Sequence, residues 1–205
     1  VDIACNKELT KKMLDDAAIP VPTGDLVVDE EDLERVIRRI GYPLVLKPLD
    51  GNHGRGQTIN VNDWETAKIG LQHAQTVSRK VIVERYVTGY DFRVLVINHK
   101  MVAAARRVPA NVVGDGEMNL QQLIDKENLD PRRGYGHENV LTEIIVDKDT
   151  NELLQKLNYS LETIPKKGEI VYLKSTANLS TGGTSIDVTD MVHPENVTMC
   201  ERISK

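Results

Sequence analysis

Aromatic residues, cysteines and long apolar runs are all scarce in this sequence, and each shortage excludes a class of protein. Aromatic residues are 4% of the 205 residues, too few for a surface that stacks the bases of single-stranded nucleic acid. The 26 Lys and Arg residues against 31 Asp and Glu give a net charge of −5, which excludes a wholly basic surface but not a local basic pocket. The longest apolar run, residues 101–105, is far too short to cross a bilayer.

The cysteine pattern and the ends of the sequence give a second set of expectations. Cys5 and Cys200 lie near opposite ends and form no CxxC pair, and no charged start leads into an apolar signal segment. We therefore expect a reduced, cytoplasmic protein without a zinc site. The sequence starts at Val1 without Met and stops at Lys205 inside what reads as a helix, so we interpret it as a piece of a longer protein.

Hydrophobic periodicity predicts an α+β protein with two lobes. An N-terminal helix and linker (1–23) precede a first lobe (24–87) of two helices with paired strands, and a second, incomplete lobe (88–205) opens with a hairpin. Asp29 and the pair Asn62 and Glu65 are expected to begin the two helices of the first lobe. In the second lobe the pattern predicts helices at 120–128, at 152–159 and from 193 onward, and strands near 143–146 and 169–173.

A glycine-rich loop lies between two predicted strands of the first lobe. Gly51 to Gly56 has the GxxxxG spacing of a P-loop, but Gln57-Thr58 stands where Lys-Ser/Thr is required, and a strand follows instead of a helix. Lys47 ends the preceding strand, so the loop could act as a lid whose N–H groups cover phosphates beside a lysine charge. The alternative is an ordinary turn with a snorkelling lysine.

Two acidic residues seven positions apart, Glu84 and Asp91, mark the end of the first lobe. A strand end of this kind can offer backbone groups to an adenine and a carboxylate to ribose hydroxyls. The alternative is that both side chains are solvated surface charges.

Taken together, these segments resemble the ATP-grasp family over essentially the whole chain. The matching segments are residues 6–11, 18–22, 42–48, the glycine-rich loop, and 84–91 with the strand that follows. Four runs further resemble the ATP-grasp module of the cyanophycin synthetase family, and the last two of them are long and specific. These runs are residues 47–56, 107–110, 136–142 and 175–184.

The resemblance implies an ATP-grasp fold, truncated at its C-terminal end, in which two α+β lobes enclose the nucleotide. It implies ATP and Mg²⁺ as cofactors of a ligase that activates a peptide carboxylate as an acyl-phosphate and adds an amino acid, as in aspartate addition during cyanophycin synthesis. The implied substrates are an acidic, poly-aspartate-like peptide and an amino acid, and the full-length protein is expected to be a homo-oligomer. Two alternatives stay open: an ATP-grasp ligase for another acidic amino acid or peptide, and a non-catalytic nucleotide-binding module.

The same resemblance assigns nucleotide contacts to residues of this sequence. Lys7 and Lys47 would hold the α- and β-phosphates, and Asp91 would face the ribose. The backbone of the lid would cover the triphosphate, and the end of the strand at Glu84 would face the adenine. The residues implied for these two roles are Gly54, Arg55 and Gly56 in the lid, and Glu84, Arg85, Tyr86 and Val87 at the adenine.

Catalytic and substrate contacts are expected mainly in the second lobe. Arg93 and Arg107 lie on adjacent hairpin strands, where their forked guanidinium groups could clamp a carboxylate or the γ-phosphate. Arg106 should face the other way, because side chains alternate along a strand. A second carboxylate would meet Ser180, Thr181 and Gly182.

Two further groups of residues carry an open interpretation. His53 lies in the lid, either near the acyl-phosphate as a catalytic residue or as a loop histidine without a proton-transfer role. The run that holds Arg132, Arg133, His137 and Glu138 either contacts the growing peptide or is a solvated loop held by turn hydrogen bonds.

The magnesium ligands of ATP-grasp enzymes, an acidic residue followed by Glu-x-Asn, have no match in this sequence. Asp187 and Asp190 flank a strand end without the required pattern, and Glu195-Asn196 has the wrong spacing. We therefore expect no metal ligand in this chain, magnesium ligands beyond Lys205, and no catalysis by this piece alone.

Overall fold

The chain divides into two units in the computed structural model, which describes residues 7–50, 56–136 and 139–205. The first unit ends at Gly89, and the second runs from Tyr90 to Lys205. Within the described residues, no helix combines the length and the apolar character needed to span a membrane.

The first unit is an antiparallel sheet of four strands in the order β1-β4-β2-β3, packed against helices. Its strands are β1 (Gly24–Val27), β2 (Leu44–Pro48), β3 (Thr58–Val61) and β4 (Val81–Arg85), and its helices are α1 (Lys7–Asp16), α2 (Glu30–Ile40) and α3 (Trp64–Gln75). Alternation along β2 turns Leu44 and Leu46 into the core with Leu33 of α2 and Leu71 of α3, and leaves Lys47 on the other face.

In the first unit the predicted capping residue is confirmed for α2, and the predicted capping pair is wrong for α3. The Asp29 side chain accepts the N–H of Asp32 at 2.8 Å to begin α2, as predicted. The prediction of Asn62 and Glu65 as the capping pair of α3 is wrong, because Asp63 is the residue whose side chain accepts the helix N–H groups. Asn62 instead donates to the backbone carbonyl of Asn60 at 2.7 Å.

The second unit contains a three-stranded antiparallel sheet, β11-β6-β5, and two smaller strand pairs. Its strands are β5 (Asp91–Ile97), β6 (Lys100–Val108), β7 (Asn111–Val113), β8 (Arg133–Gly134), β9 (Leu141–Thr142), β10 (Ile170–Tyr172) and β11 (Thr184–Asp187); its helices are α4 (Leu120–Asn128), α5 (Lys148–Lys156) and α6 (Pro194–Ile203). The pairs are β10 with β7 and the parallel β8 with β9. The core of this unit gathers side chains of α4, α5, β7 and β10.

Three predicted elements of the second unit are corrected by the structure. The strand expected near 143–146 is absent there, because the Asn128 side chain bonds both the N–H and the carbonyl of Ile144 and replaces a strand partner. The helix expected at 152–159 starts at Lys148, because Asp147 and Thr150 form a capping box. The last helix ends at Ile203 rather than continuing through the end of the sequence.

Candidate nucleotide and carboxylate sites

Two lysines of the first unit meet one buried carboxylate, that of Glu84 on β4. The Lys47 ammonium lies 2.5 Å from Glu84 Oε2, and the Lys11 ammonium lies 2.9 Å from Oε1. Strand register places Glu84 opposite Val45, so Glu84 and Lys47 are diagonal neighbours on the same face of the sheet. Glu84 is only 6% exposed, so its charge depends on these partners.

The electrostatics of this group favour an ionised Glu84 and an excess of positive charge. Burial alone would raise the pKa of Glu84, but hydrogen bonds and charges from Lys47 and Lys11 outweigh burial and lower the pKa. Burial and the Lys47 charge lower the pKa of Lys7, against the opposing effect of Asp50 and Glu84. The Lys7 ammonium also donates to the Pro48 carbonyl at 3.4 Å. Three lysines thus surround two carboxylates, an arrangement that attracts phosphate groups.

Glycine at position 24 allows this arrangement by its lack of a side chain. Gly24 pairs with Glu84 across β1 and β4. A Cβ at Gly24 would lie 2.2 Å from the Val83 carbonyl oxygen and 2.7 Å from Glu84 Cγ. The Glu84 side chain therefore lies directly over the Gly24 backbone, and no larger residue fits there.

The three residues after Glu84 have their own contacts within the first unit. The Arg85 side chain donates to the Ile40 carbonyl at the end of α2. The backbone N–H of Tyr86 donates to the Pro43 carbonyl at 2.9 Å, while the Val87 side chain is exposed. The Arg85 guanidinium and the Tyr86 N–H thus both have acceptors inside the first unit.

The second unit carries the two arginines that the sequence assigns to a carboxylate clamp. In the β5-β6 register Asp91 pairs with Arg107 and Arg93 with Ala105, which puts Arg93 and Arg107 diagonally on one face. Arg93 forms a fork on Asp91, with Nε 3.1 Å from Oδ1 and Nη2 3.3 Å from Oδ2. Arg106 faces the opposite side, as strand alternation predicts, and lies 4.8 Å from the centre of the Tyr90 ring.

The polar loop expected to hold a second carboxylate forms a single 3₁₀ turn, Leu179–Thr181. Ser180 is exposed, and the Thr181 hydroxyl donates to the Asn178 carbonyl at 3.1 Å. Gly182 has φ +89 and no room for a Cβ beside Ile144, and its carbonyl accepts from Arg133. The Ser180 hydroxyl is the most accessible of the three residues predicted here.

Comparison with known proteins identifies the family. The RimK-like ATP-grasp domain family matches residues 4–131 of the chain. This chain belongs to the RimK-like ATP-grasp family. The predicted ATP-grasp fold is confirmed by this match and by the crystal structure of a bifunctional glutathione synthetase from Pasteurella multocida, at 32% identity and a TM-score of 0.63. That likeness covers 97% of this chain and 27% of the other.

Curated relatives of this ATP-grasp domain are much longer proteins. Cyanophycin synthetase of Trichormus variabilis is 50% identical over 206 residues, which is 100% of this chain and 23% of that protein. The glutathione biosynthesis bifunctional protein of Listeria innocua is 39% identical over 188 residues, 90% of this chain and 24% of that protein. The chain therefore spans about a quarter of the length of these relatives.

Parts of the predicted ATP-grasp site lie outside the described residues, namely His53, Gly54, Arg55, His137 and Glu138. Gly56 is described: it is buried at φ +71, and a Cβ there would lie 2.9 Å from Pro48 and from Val77 side-chain atoms. A larger residue at this end of the loop would therefore be both strained and crowded.

The described residues contain no group of three or more His, Cys, Asp and Glu side chains that could hold a metal. The Asp187 carboxylate instead accepts the N–H and the hydroxyl of Thr189, at 2.9 and 2.6 Å.

The structure gives defined contacts to two residues whose roles the sequence does not decide. Lys11 contacts Glu84 from four positions beyond Lys7 on the same helical face. The Arg133 side chain is buried and is bonded to the carbonyls of Thr142 and Gly182 and to Glu127. It also lines a cavity of ≈ 270 Å³ in the second unit. For Arg133 the structure favours a role in holding the loops together.

Proposed function

We propose that this chain is the ATP-binding part of a carboxylate–amine ligase of the cyanophycin synthetase type. The γ-phosphoryl group of ATP would pass to a peptide carboxylate, giving ADP and an acyl-phosphate, and the amine of an amino acid would then attack the acyl carbon and release inorganic phosphate. The observation that carries the proposal is the gathering of Lys7, Lys11 and Lys47 around Glu84. The 50% identity to a cyanophycin synthetase over the whole chain supports it.

The proposed roles follow the charges of each unit. Lys7 and Lys47 would neutralise the α- and β-phosphates, and the strand end at Glu84 would face the adenine while Asp91 faces the ribose. Arg93 and Arg107 share one sheet face, which suits a carboxylate or the γ-phosphate. Four further features stay predictions. They are a contact of Ser180 with the acidic substrate, magnesium ligands beyond residue 205, a homo-oligomer and a cytoplasmic location.

A second candidate is a ligase for a different acidic amino acid or peptide. The 39% identity to a glutathione biosynthesis protein favours it, because that relative covers 90% of this chain. Product analysis with aspartate and glutamate as alternative amine donors separates the two candidates. Incorporation of glutamate in preference to aspartate would contradict the cyanophycin-type assignment and leave the ligase class intact.

Replacing Lys47 by alanine in the full-length protein tests the nucleotide role. A charge-assisted hydrogen bond contributes about 1.5–3 kcal/mol, so Lys47→Ala should weaken ATP binding roughly ten- to a hundredfold in titration calorimetry. Lys80→Ala is the matched control, because Lys80 is an exposed lysine of the same unit. Unchanged ATP affinity in a Lys47→Ala protein with an intact circular dichroism spectrum would refute the proposed phosphate contact.

A further inference from the structure

The two oxygens of Glu84 are divided between two lysines from different elements. Lys47 of β2 contacts Oε2 at 2.5 Å, and Lys11 of α1 contacts Oε1 at 2.9 Å. Side chains of Lys47 and Lys11 are 32% and 24% exposed, whereas that of Glu84 is 8% exposed. The carboxylate is therefore the enclosed partner, and each lysine retains access to water.

Glu84 is held in place by the strands on both sides of β4. Its strand, β4, pairs with β1 on one side and with β2 on the other, so the backbone of Glu84 lies in the interior of the sheet. Gly24 on β1 lies so close that a Cβ would stand 2.7 Å from Glu84 Cγ. Since the carboxylate cannot shift easily, a change of partners at this site must come from movement of a lysine.

Binding of a nucleotide phosphate by Lys47 would require the Lys47 side chain to move away from Glu84. If Lys47 turns to a phosphate, Glu84 loses one of its two cations while it remains buried next to additional negative charge. A buried carboxylate without a cation is costly and tends to take up a proton. Lys11 contacts the other oxygen, and its contact does not depend on the position of Lys47.

We propose that Lys11 is a positioning residue for nucleotide binding, which keeps Glu84 a fixed anion and so allows Lys47 to turn from Glu84 to a phosphate. This inference rests on the proposed function. The location of Lys11 supports it, because α1 has no buried residue and reaches Glu84 through this lysine. Lys7 lies one turn away on the same face, and two like charges at this spacing repel one another unless a carboxylate compensates.

The pH dependence of ATP affinity distinguishes this role from simple anchoring of α1. The charged groups near Glu84 are Lys47 from β2 and Lys11 and Lys7 from α1, while β1 contributes the uncharged Gly24. Asp50, after β2, acts on the charge of Lys7. Without Lys11, the ATP-bound state leaves Glu84 without its two ion pairs, so the pKa of Glu84 rises on binding. A group that binds protons more tightly in the complex makes affinity rise as the pH falls, by at most tenfold per pH unit.

The test compares Lys11→Met with Lys12→Met in the full-length protein by titration calorimetry with ATP at about pH 6 and about pH 8. Lys12 is the exposed neighbour on α1, so both variants lose one positive charge from the same helix and the titration of ATP itself is common to both proteins. We expect Lys11→Met to bind ATP about tenfold more weakly than Lys12→Met at the higher pH, and about twofold more weakly at the lower pH. Lys11→Arg should restore the affinity and its pH profile, because it keeps the cation.

Each outcome decides the question. Equal affinities of the two variants, or a ratio that is the same at both pH values, would overturn the role of Lys11. If Lys11→Met does not fold, Lys11→Gln has the same expected pH dependence and the same contradicting results. If Lys12→Met itself fails to bind ATP, the proposed function is wrong together with this inference. ATP binding that is sensitive to Lys47→Ala but not to Lys11→Met would overturn the inference alone.

Discussion

Replacement of Arg133 by methionine should destabilise the second unit by an amount that its contacts allow us to work out. The Arg133 side chain is 2% exposed and donates to the carbonyls of Thr142 at 2.9 Å and Gly182 at 3.0 Å, and to Glu127 at 2.9 Å. Methionine fills a similar volume but donates no hydrogen bond, so the two carbonyls lose their partner. Each buried acceptor left unpaired costs about 1–3 kcal/mol.

Two effects make the destabilisation smaller than the summed cost of the two unpaired carbonyls. Glu127 is 44% exposed, so water replaces the lost guanidinium there. The Arg133 Nε is buried without a hydrogen-bond acceptor, so the native side chain already carries a desolvation cost that methionine removes. We therefore expect a loss of about 2–4 kcal/mol, or a decrease in Tm of about 5–15 °C.

Thermal unfolding followed by circular dichroism measures this change, and Arg132→Met is the matched control. Arg132 is the exposed neighbour, whose guanidinium pairs with Asp130 two residues earlier, and solvent weakens that pair, so its loss should lower Tm much less than the loss of Arg133. A Tm of Arg133→Met equal to that of the wild type would refute the reasoning. Such a result would mean that the desolvation cost of the guanidinium offsets all three of its hydrogen bonds.

Two other predictions concern charged side chains of the second unit. The side-chain hydrogen bonds from Arg132 lower the pKa of Asp130 from 3.8 to about 2, so the stabilisation that this carboxylate provides is present above pH 4 and is lost as the pH falls towards 2. A carboxyl NMR titration should find that low pKa and its return towards 3.8 in Arg132→Met; an unchanged pKa in the variant would contradict the cause. Arg93→Lys in the full-length protein should raise KM for the acidic peptide or amino acid and leave KM for ATP nearly unchanged, because one ammonium cannot replace a fork. A shift in the ATP constant alone would place Arg93 at the nucleotide instead.

Local sequence signals predicted the helices and strands whose determinants lie within a few residues. α2 begins after Asp29 and ends at Gly41 with φ 67, as its capping residues indicate. The helix Leu120–Asn128 has the predicted bounds. The prediction of a strand near 143–146 is wrong. An apolar run indicates that a segment is extended, but the group that bonds its backbone is decided elsewhere in the chain. Here the partner is a side chain, Asn128, sixteen positions earlier.

The residues of the candidate site also differ in whether local sequence signals reveal their roles. Lys47 and Glu84 stand out in the sequence because each ends a predicted strand beside a turn. Lys11 does not, because a lysine on an amphipathic helix ordinarily faces water, and its carboxylate partner is 73 positions away. The burial of Arg133 could not be predicted for the same reason, since its contact with Gly182 spans 49 positions. Contacts of this range are decided by tertiary packing, which local patterns do not encode.

Cations of both units are already paired with carboxylates of their own unit, and this pairing bears on how an anionic substrate would bind. Lys47 contacts Glu84, and Arg93 forms a fork on Asp91. An internal carboxylate of this kind holds a long side chain near one position, so less rotamer entropy is lost when a ligand replaces it. A triphosphate carries several negative charges against the one of Glu84, and it can therefore compete for Lys47. The exchange takes place between ions. The affinity for ATP should therefore fall more steeply with added salt than the affinity for a ligand that is held by neutral groups.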